Sequence, residues 1–170
     1  SGRLRTLRGE PNNYHGAASS TYSHRNETAQ PGYYRVKLDN GVIAELTTTE
    51  RVGMHHYTYT EQGPSRILID LKNCTGSDAY ETYIRKVDEY TIEGYRFVHG
   101  WAPFHKVFFY AKFDKPMTEL RTYLDDEEQG FDELQARAVK AVLTFGKGVN
   151  EVQAKVAISS VSCKNARMNM

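Results

Sequence analysis

Six histidines, a scatter of carboxylates and two cysteines are the residues of this chain able to do chemistry, and their spacing narrows what that chemistry is. His55 and His56 are adjacent, so in a strand they point to opposite faces and cannot chelate one metal ion together. His24 lies far off in sequence, and no His-x-His or Cys-x-x-Cys spacing occurs. No metal site is expected from this chain alone. The ordinary reading of the histidine pair is one imidazole hydrogen-bonded within a sheet and the other at the surface. Cys74 and Cys163 could pair in an oxidising compartment, but two cysteines make no disulfide framework, and two free thiols is the preferred reading. Cys163 stands in a strand-end context without a neighbouring histidine, so no thiol nucleophile is expected.

Hydrolytic acid–base chemistry needs two carboxyl groups flanking one bond. Asp125, Asp126, Glu127 and Glu128 form a like-charged cluster, which reads as a solvated loop. Glu27 and Glu45 stand apart, and Arg51 could pair with Glu45 across a hairpin as a structural ion pair of small net value. No catalytic residue is assigned. Trp101, the only tryptophan, follows a glycine in a loop, where an exposed indole could stack on a sugar face. It is the one candidate substrate-binding residue, and packing against a sheet edge is its ordinary alternative.

The elements that must position these groups are strands. Tyr34, Val36 and Leu38 alternate with Tyr33, Arg35 and Lys37, the period of two expected of a strand with one buried face. Asp39-Asn40-Gly41 tolerates positive φ, and residues 42–48 return as a second alternating run, so the pair is a hairpin. In a third run, residues 51–59, Val52, Met54, His56 and Thr58 share one face and Arg51, Gly53, His55, Tyr57 and Tyr59 the other. Gly63-Pro64 breaks it. Ile67, Leu68, Ile69 and Leu71 then suit a strand covered on both sides.

Further strands are expected over residues 80–87 (short and irregular), 90–98, 106–113 (central, with apolar residues on both faces), 136–145 and a final one bearing Val152, Ala154, Val156 and Ile158. Residues 125–130 are expected as an acidic loop and 131–138 as one or two helical turns. Residues 1–20 read as a poorly ordered lead-in or an edge strand, and residues 21–170 as a single domain. The expected fold is all-β: an antiparallel β-sandwich of about ten strands with little helix.

Composition excludes several functions. Lys and Arg number 22 against 21 Asp and Glu, so no net field attracts nucleic acid or an anionic membrane. No apolar run approaches the ~18 residues of a membrane-spanning helix. Twelve tyrosines suit a half-buried sheet face and equally a surface that stacks on sugar rings, so they do not separate a plain sandwich from a carbohydrate-handling one.

The order of motifs goes further. Tyr22-Ser23-His24, Glu27, Pro31-Gly32-Tyr33-Tyr34, Glu45-Leu46-Thr47, Arg51-Val52-Gly53-Met54-His55-His56-Tyr57 and the strand closing on Asp70-Leu71 resemble the amino-terminal domain of glycoside hydrolase family 92, the calcium-dependent exo-acting α-mannosidases. Later matches include Glu93-Gly94-Tyr95-Arg96, Gly100-Trp101-Ala102, Val156-Ala157-Ile158-Ser159 and Asn165-Ala166-Arg167. Tyr22 stands where the family usually has phenylalanine.

The resemblance implies a sandwich of the supersandwich, galactose-mutarotase-like kind. It also implies a chain truncated at both ends relative to the family, whose large helical (α/α) domain carries the acid and base carboxylates and the calcium ligands. On that expectation the chain is non-catalytic by itself, needs no cofactor of its own, and packs on the helical domain to help shape a mannose pocket. The parent would hydrolyse terminal α-mannosides with inversion, meet mannose-containing glycans, and be periplasmic or extracellular in a bacterium. The alternative is a stand-alone carbohydrate-binding module.

Overall fold

The computed structural model describes residues 3–7, for their backbone, together with 20, 22–60, 63–72, 77–100, 105–125 and 127–170. Fourteen strands form two antiparallel sheets among them. The narrower sheet runs β1 (Arg3–Leu7), β6 (Arg66–Asp70), β13 (Val139–Phe145), β10 (Met117–Leu124) and β11 (Glu127–Phe131). The wider one has nine strands in the order β12 (Glu133–Ala136), β7 (Ser77–Asp88), β8 (Thr91–Gly100), β9 (His105–Phe113), β14 (Glu151–Ser159), β5 (Val52–Tyr59), β4 (Val42–Thr48), β3 (Tyr33–Lys37) and β2 (Glu27–Gln30). The all-β sandwich expected of the sequence is therefore the fold, with more strands than the ten anticipated.

The sheets are held by the alternation the sequence carries. Ile67, Ile69 and Leu71 face Val139, Ala141, Leu143 and Phe145 on the narrow sheet, and all enter one core with Val42, Tyr57, Tyr59, Ile84, Ile92, Phe113 and Val152 of the wide sheet. Phe113 and Phe145 meet across the sheets with ring centroids 5.5 Å apart. In the β3–β4 turn, Gly41 has φ 81°, Gly41 N–H donates to Leu38 O, and the Asn40 side chain accepts from Val42 N–H. That turn is the one written in Asp39-Asn40-Gly41.

Several local expectations are corrected. Residues 131–138 contain no helix: Phe131 closes β11 and Glu133–Ala136 is β12, paired with β7 from Glu133↔Arg85 to Ala136↔Thr82. Asp132, at φ 69°, turns the chain between the two strands. Local helical propensity is favourable here, since Glu133, Leu134, Gln135, Ala136, Arg137 and Ala138 are all good helix formers, but a ladder to a strand some fifty residues away in sequence overrides it. The supposed acidic loop is in large part β11, an edge strand, whose charges suit an unpaired edge. β7 is twelve residues long rather than short, with irregularities between Ala79 and Glu81 and between Lys86 and Asp88. β2 and β10 were not anticipated.

Cys163 lies at the start of a short helix, α1 (Cys163–Met168), not at a strand end. Ser162 caps it, its hydroxyl accepting from Asn165 N–H at 3.1 Å. The helix lies on the outer face of the wide sheet, against β8, β9 and β14, with Ala166, Ala157 and Tyr110 buried.

Candidate functional site

The strip β2–β3–β4–β5 holds the motif residues, and its register sorts them by face. Arg35 pairs with Glu45 and Glu45 with His56, while Tyr33 pairs with Thr47 and Thr47 with Met54; these point outward. Glu27 opposite Val36, and Tyr34 opposite Leu46 opposite His55, point toward the narrow sheet, on the side of the core residues Val152 and Phe113.

Each face carries one carboxylate gripped by donors. On the inner side Tyr34 Oη donates to Glu27 Oε1 at 2.7 Å, and His24 Nδ1 lies 2.8 Å from Glu27 Oε2. The His24 ring stands edge-on to Tyr22 at 5.8 Å. The Tyr34 hydroxyl, then His24, hold the Glu27 carboxyl below the usual carboxylate range, and the same bond with partial burial pushes Tyr34 up to about 12. At neutral pH the phenol therefore keeps its proton and the carboxylate stays ionised, already occupied as an acceptor. Such a group is a poor base and no general acid.

On the outer side Tyr33 Oη donates to Glu45 Oε1 at 2.8 Å, Arg35 Nε is 3.8 Å from the same oxygen, and His56 Nδ1 is 3.1 Å from Oε2. The other His56 nitrogen, Nε2, is 3.7 Å from Glu151 of β14. The bond to Glu45 raises Tyr33 above the ordinary phenol value. A shallow cavity of about 230 Å³ opens beside this cluster, lined by Tyr33, Glu45, Thr47, Met54, His55, His56 and Gln153.

The expected Glu45–Arg51 pair is not formed. Glu45 takes Tyr33, His56 and Arg35 instead, because Arg51 precedes β5 and is offset along the hairpin from Glu45, whose directly opposed neighbour is His56. Arg51 lines a second, more cationic cavity of about 350 Å³ with His105, Lys106 and the amides of Asn165 and Asn169.

His55 and His56 do point to opposite faces. His55 Nδ1 lies 2.9 Å from Tyr57 Oη, and burial pushes the imidazole down, so it is neutral at physiological pH. Trp101 and Cys74 lie outside the described residues. Cys163 carries a free thiol that donates to Gly94 O at 3.3 Å, and burial pushes it up to about 11. It is an inert structural thiol.

Among the described residues no three His, Cys, Asp or Glu side chains come together to hold a metal. Calcium takes six to eight oxygens, and Glu27 and Glu45 lie on opposite faces of one sheet. These residues do not fit a calcium centre.

A third feature was missed by sequence reasoning. On the outer face of β7, β8 and β9 the rings of Tyr83, Tyr95, Phe97 and Phe108 form a continuous row: Tyr83–Tyr95 at 5.3 Å, Tyr95–Phe97 at 4.3 Å and 13° between planes, and Phe97–Phe108 at 5.5 Å. The irregularity at Ala79/Glu81 leaves Tyr80 without an opposite partner and turns it outward, 6.1 Å from Phe97 and 4.2 Å from His99. The usable signal was the spacing Tyr95-x-Phe97, out of phase with the buried Ile92, Gly94, Arg96 and Val98.

Two antiparallel sheets of unequal width around a single core define an all-β sandwich domain. The family model of the glycosyl hydrolase family 92 N-terminal domain matches residues 1–159, and the chain belongs to that family. A family 92 α-mannosidase of Bacteroides thetaiotaomicron, solved in complex with mannoimidazole, is 33% identical with a TM-score of 0.90, over 99% of this chain and 24% of that one. A family 92 inverting mannosidase from the same organism, at 22% identity and a TM-score of 0.82, shares the fold over 98% of this chain and 22% of its own. An uncharacterized secreted glycosidase of Arthroderma benhamiae is 31% identical over 70 residues, 38% of this chain and 9% of that protein. The chain thus spans about a quarter of the solved relatives it matches.

Proposed function

We propose that this chain is the amino-terminal domain of an α-mannosidase, contributes none of the reacting carboxylates, and with a helical catalytic domain of the same polypeptide shapes a pocket for a terminal mannose. The observation that carries this reading is the likeness to a solved α-mannosidase across 99% of this chain but 24% of that enzyme. The site supports it. An inverting pair must face one cleft about 6.5–9.5 Å apart, whereas Glu27 and Glu45 point to opposite sides of a sheet and are held by tyrosine hydroxyls.

In the whole enzyme the inner cluster of His24, Glu27 and Tyr34 acts as a rigid wall, not as an acid or base. Trp101, following the end of β8, is assigned to contact with the sugar. Calcium, required by the parent, is held by the helical domain. Secretion, to a bacterial periplasm or outside the cell, belongs to the same reading and accords with the naming of a fungal relative as a secreted glycosidase.

The test is to incubate the chain with an aryl α-mannoside in calcium. No turnover is expected, and robust turnover would overturn the division of labour. Mannobiose should bind in the millimolar range or not at all. Micromolar affinity lost in Trp101→Ala would make the chain a stand-alone binding module instead.

A further inference from the structure

We infer that the notch at the end of the wide sheet, where β14 stops between β5 and β9, binds a tetrahedral oxyanion, phosphate or sulfate, carried as a monoester on a molecule the size of one sugar ring. This goes beyond the reading just given and does not depend on it.

Unequal strand lengths make the notch. β14 pairs with β5 only as far as Ala157↔Val52 and with β9 only as far as Ser159↔Phe108. β9 extends further, through Val107, Lys106 and His105, and there its strand partner among the described residues is β8 alone. Arg51 stands just before β5 on the other side of the gap, its carbonyl accepting from Ile158 N–H at 3.1 Å. Between them lies the cavity of about 350 Å³, which Asn165 and Asn169 of α1 also line.

Its charge is of one sign. Arg51, His105 and Lys106 line the cavity and no carboxylate does. Elsewhere on the surface Arg35, Arg85 and Arg121 are each ion-paired to a glutamate, whereas no carboxylate among the described residues pairs with Arg51, His105 or Lys106. The Arg51 guanidinium therefore keeps its fork for a ligand, and such a fork takes two oxygens of one oxyanion. Donors come from three elements: Arg51 at the start of β5, His105 and Lys106 on β9, and the Asn165 amide on α1. Donation from three sides matches the oxygens of a tetrahedral ion better than the single plane of a carboxylate.

The remaining space calls for more than the ion. A cavity of about 350 Å³ is within the range of small-molecule pockets, and an oxyanion alone would leave most of it unfilled. Ile158 and Val161, both exposed, give it apolar walls that the C–H face of a pyranose would take out of water. Asn169 Nδ2 donates to Ile158 O at 2.9 Å, which fixes that amide with its oxygen left to accept from a sugar hydroxyl.

Proton–nitrogen correlation NMR of the labelled chain at constant ionic strength, balanced with chloride, tests this. The probes are glucose 6-phosphate, glucose 6-sulfate, inorganic phosphate, inorganic sulfate and glucuronate. Saturable shifts are expected at Arg51 Nε–H and at the backbone amides of residues 105–107 and 159–161, with at least one sugar ester binding more tightly than its inorganic ion; the tighter ester identifies the substituent. Arg51→Gln should weaken that ester about tenfold, and His105→Gln should weaken it in the same direction, with the rest of the amide spectrum unchanged in both. Absence of saturation by either ester overturns the proposal, as does glucuronate binding as tightly as the esters, inorganic ions binding as tightly as the esters, or affinity unchanged in both variants. α-Mannoside turnover is no part of the readout, so the enzyme reading can fail or stand whatever the titration shows.

Discussion

Tyr33 and Tyr34 are consecutive residues of β3, yet their hydroxyls close on carboxylates on opposite faces of the wide sheet: Tyr33 on Glu45 at 2.8 Å and Tyr34 on Glu27 at 2.7 Å. One dipeptide thus ties β3 to β4 on the outside and to β2 on the inside. Each bond raises the pKa of its phenol.

Tyr34→Phe should release Glu27. Its carboxyl, held low first by Tyr34 and then by His24, should move back toward the ordinary value, read by carbon-detected NMR titration. Because the folded pKa is depressed, this stabilisation is present above the ordinary carboxylate value and is lost as pH falls through the folded one. The wild type should resist acid further than the variant. Coincident acid midpoints would show the bond contributes nothing.

At the alkaline end the sign reverses. Tyr34, Tyr83 and Tyr95 are each pushed up to about 12, Tyr34 chiefly by its bond to Glu27 and the other two chiefly by burial. Their stabilisation is complete below the ordinary phenol value near 10 and disappears as pH rises toward about 12. Absorbance titration at 295 nm should show a late-ionising group of tyrosines, and Glu27→Gln should bring one of them forward.

His55 is pushed down by burial, so the folded protein binds its proton less well than the unfolded chain does. Stability should therefore decline as pH falls below the ordinary imidazole value of about 6.5. His55→Gln should flatten that part of the pH–stability profile; an unchanged slope would assign the effect elsewhere.

Gly94→Ala should be among the most damaging small substitutions. An added Cβ would lie 2.1 Å from Tyr83 O and 2.7 Å from Phe109 Cζ, and the first of these is backbone that cannot rotate away. A loss of about 1–3 kcal/mol or more is expected in urea unfolding. Phe145→Ala, which empties the contact with Phe113 at the centre of the core, should cost about 3–5 kcal/mol.

Cys163 should react with a disulfide reagent at pH 8 only when the protein unfolds, since its thiol is raised to about 11 and bonded to Gly94 O. Rapid labelling of the native protein at Cys163, identified by mass spectrometry, would contradict its half-buried, hydrogen-bonded placement.

Where local chemistry alone dictates the backbone, the sequence was readable. Asp39-Asn40-Gly41 made its turn, residues 42–48 made β4 with the bounds expected, and the alternation through Val152, Ala154 and Val156 placed one face of β14 inward, while Ile158, expected on the same face, is exposed. The opposite facing of His55 and His56 follows from the same period of two. Residues 131–138 were misread because their strands exist only by pairing with distant ladders, and α1 because six residues carry too little pattern to distinguish a helix.

By itself the sequence determined the all-β class, the register-setting turns and, through the order of its motifs, the family, since these depend on neighbours within a few residues and on the composition of each face. Tertiary structure alone decided which groups meet: that Glu45 takes His56 rather than Arg51, that Tyr33 and Tyr34 serve different faces, and that rings from β7, β8 and β9 line up beside α1. Those contacts join residues whose spacing in the chain says nothing of their distance, because strand order in a sheet is chosen by the burial of the whole core and not by any one pair.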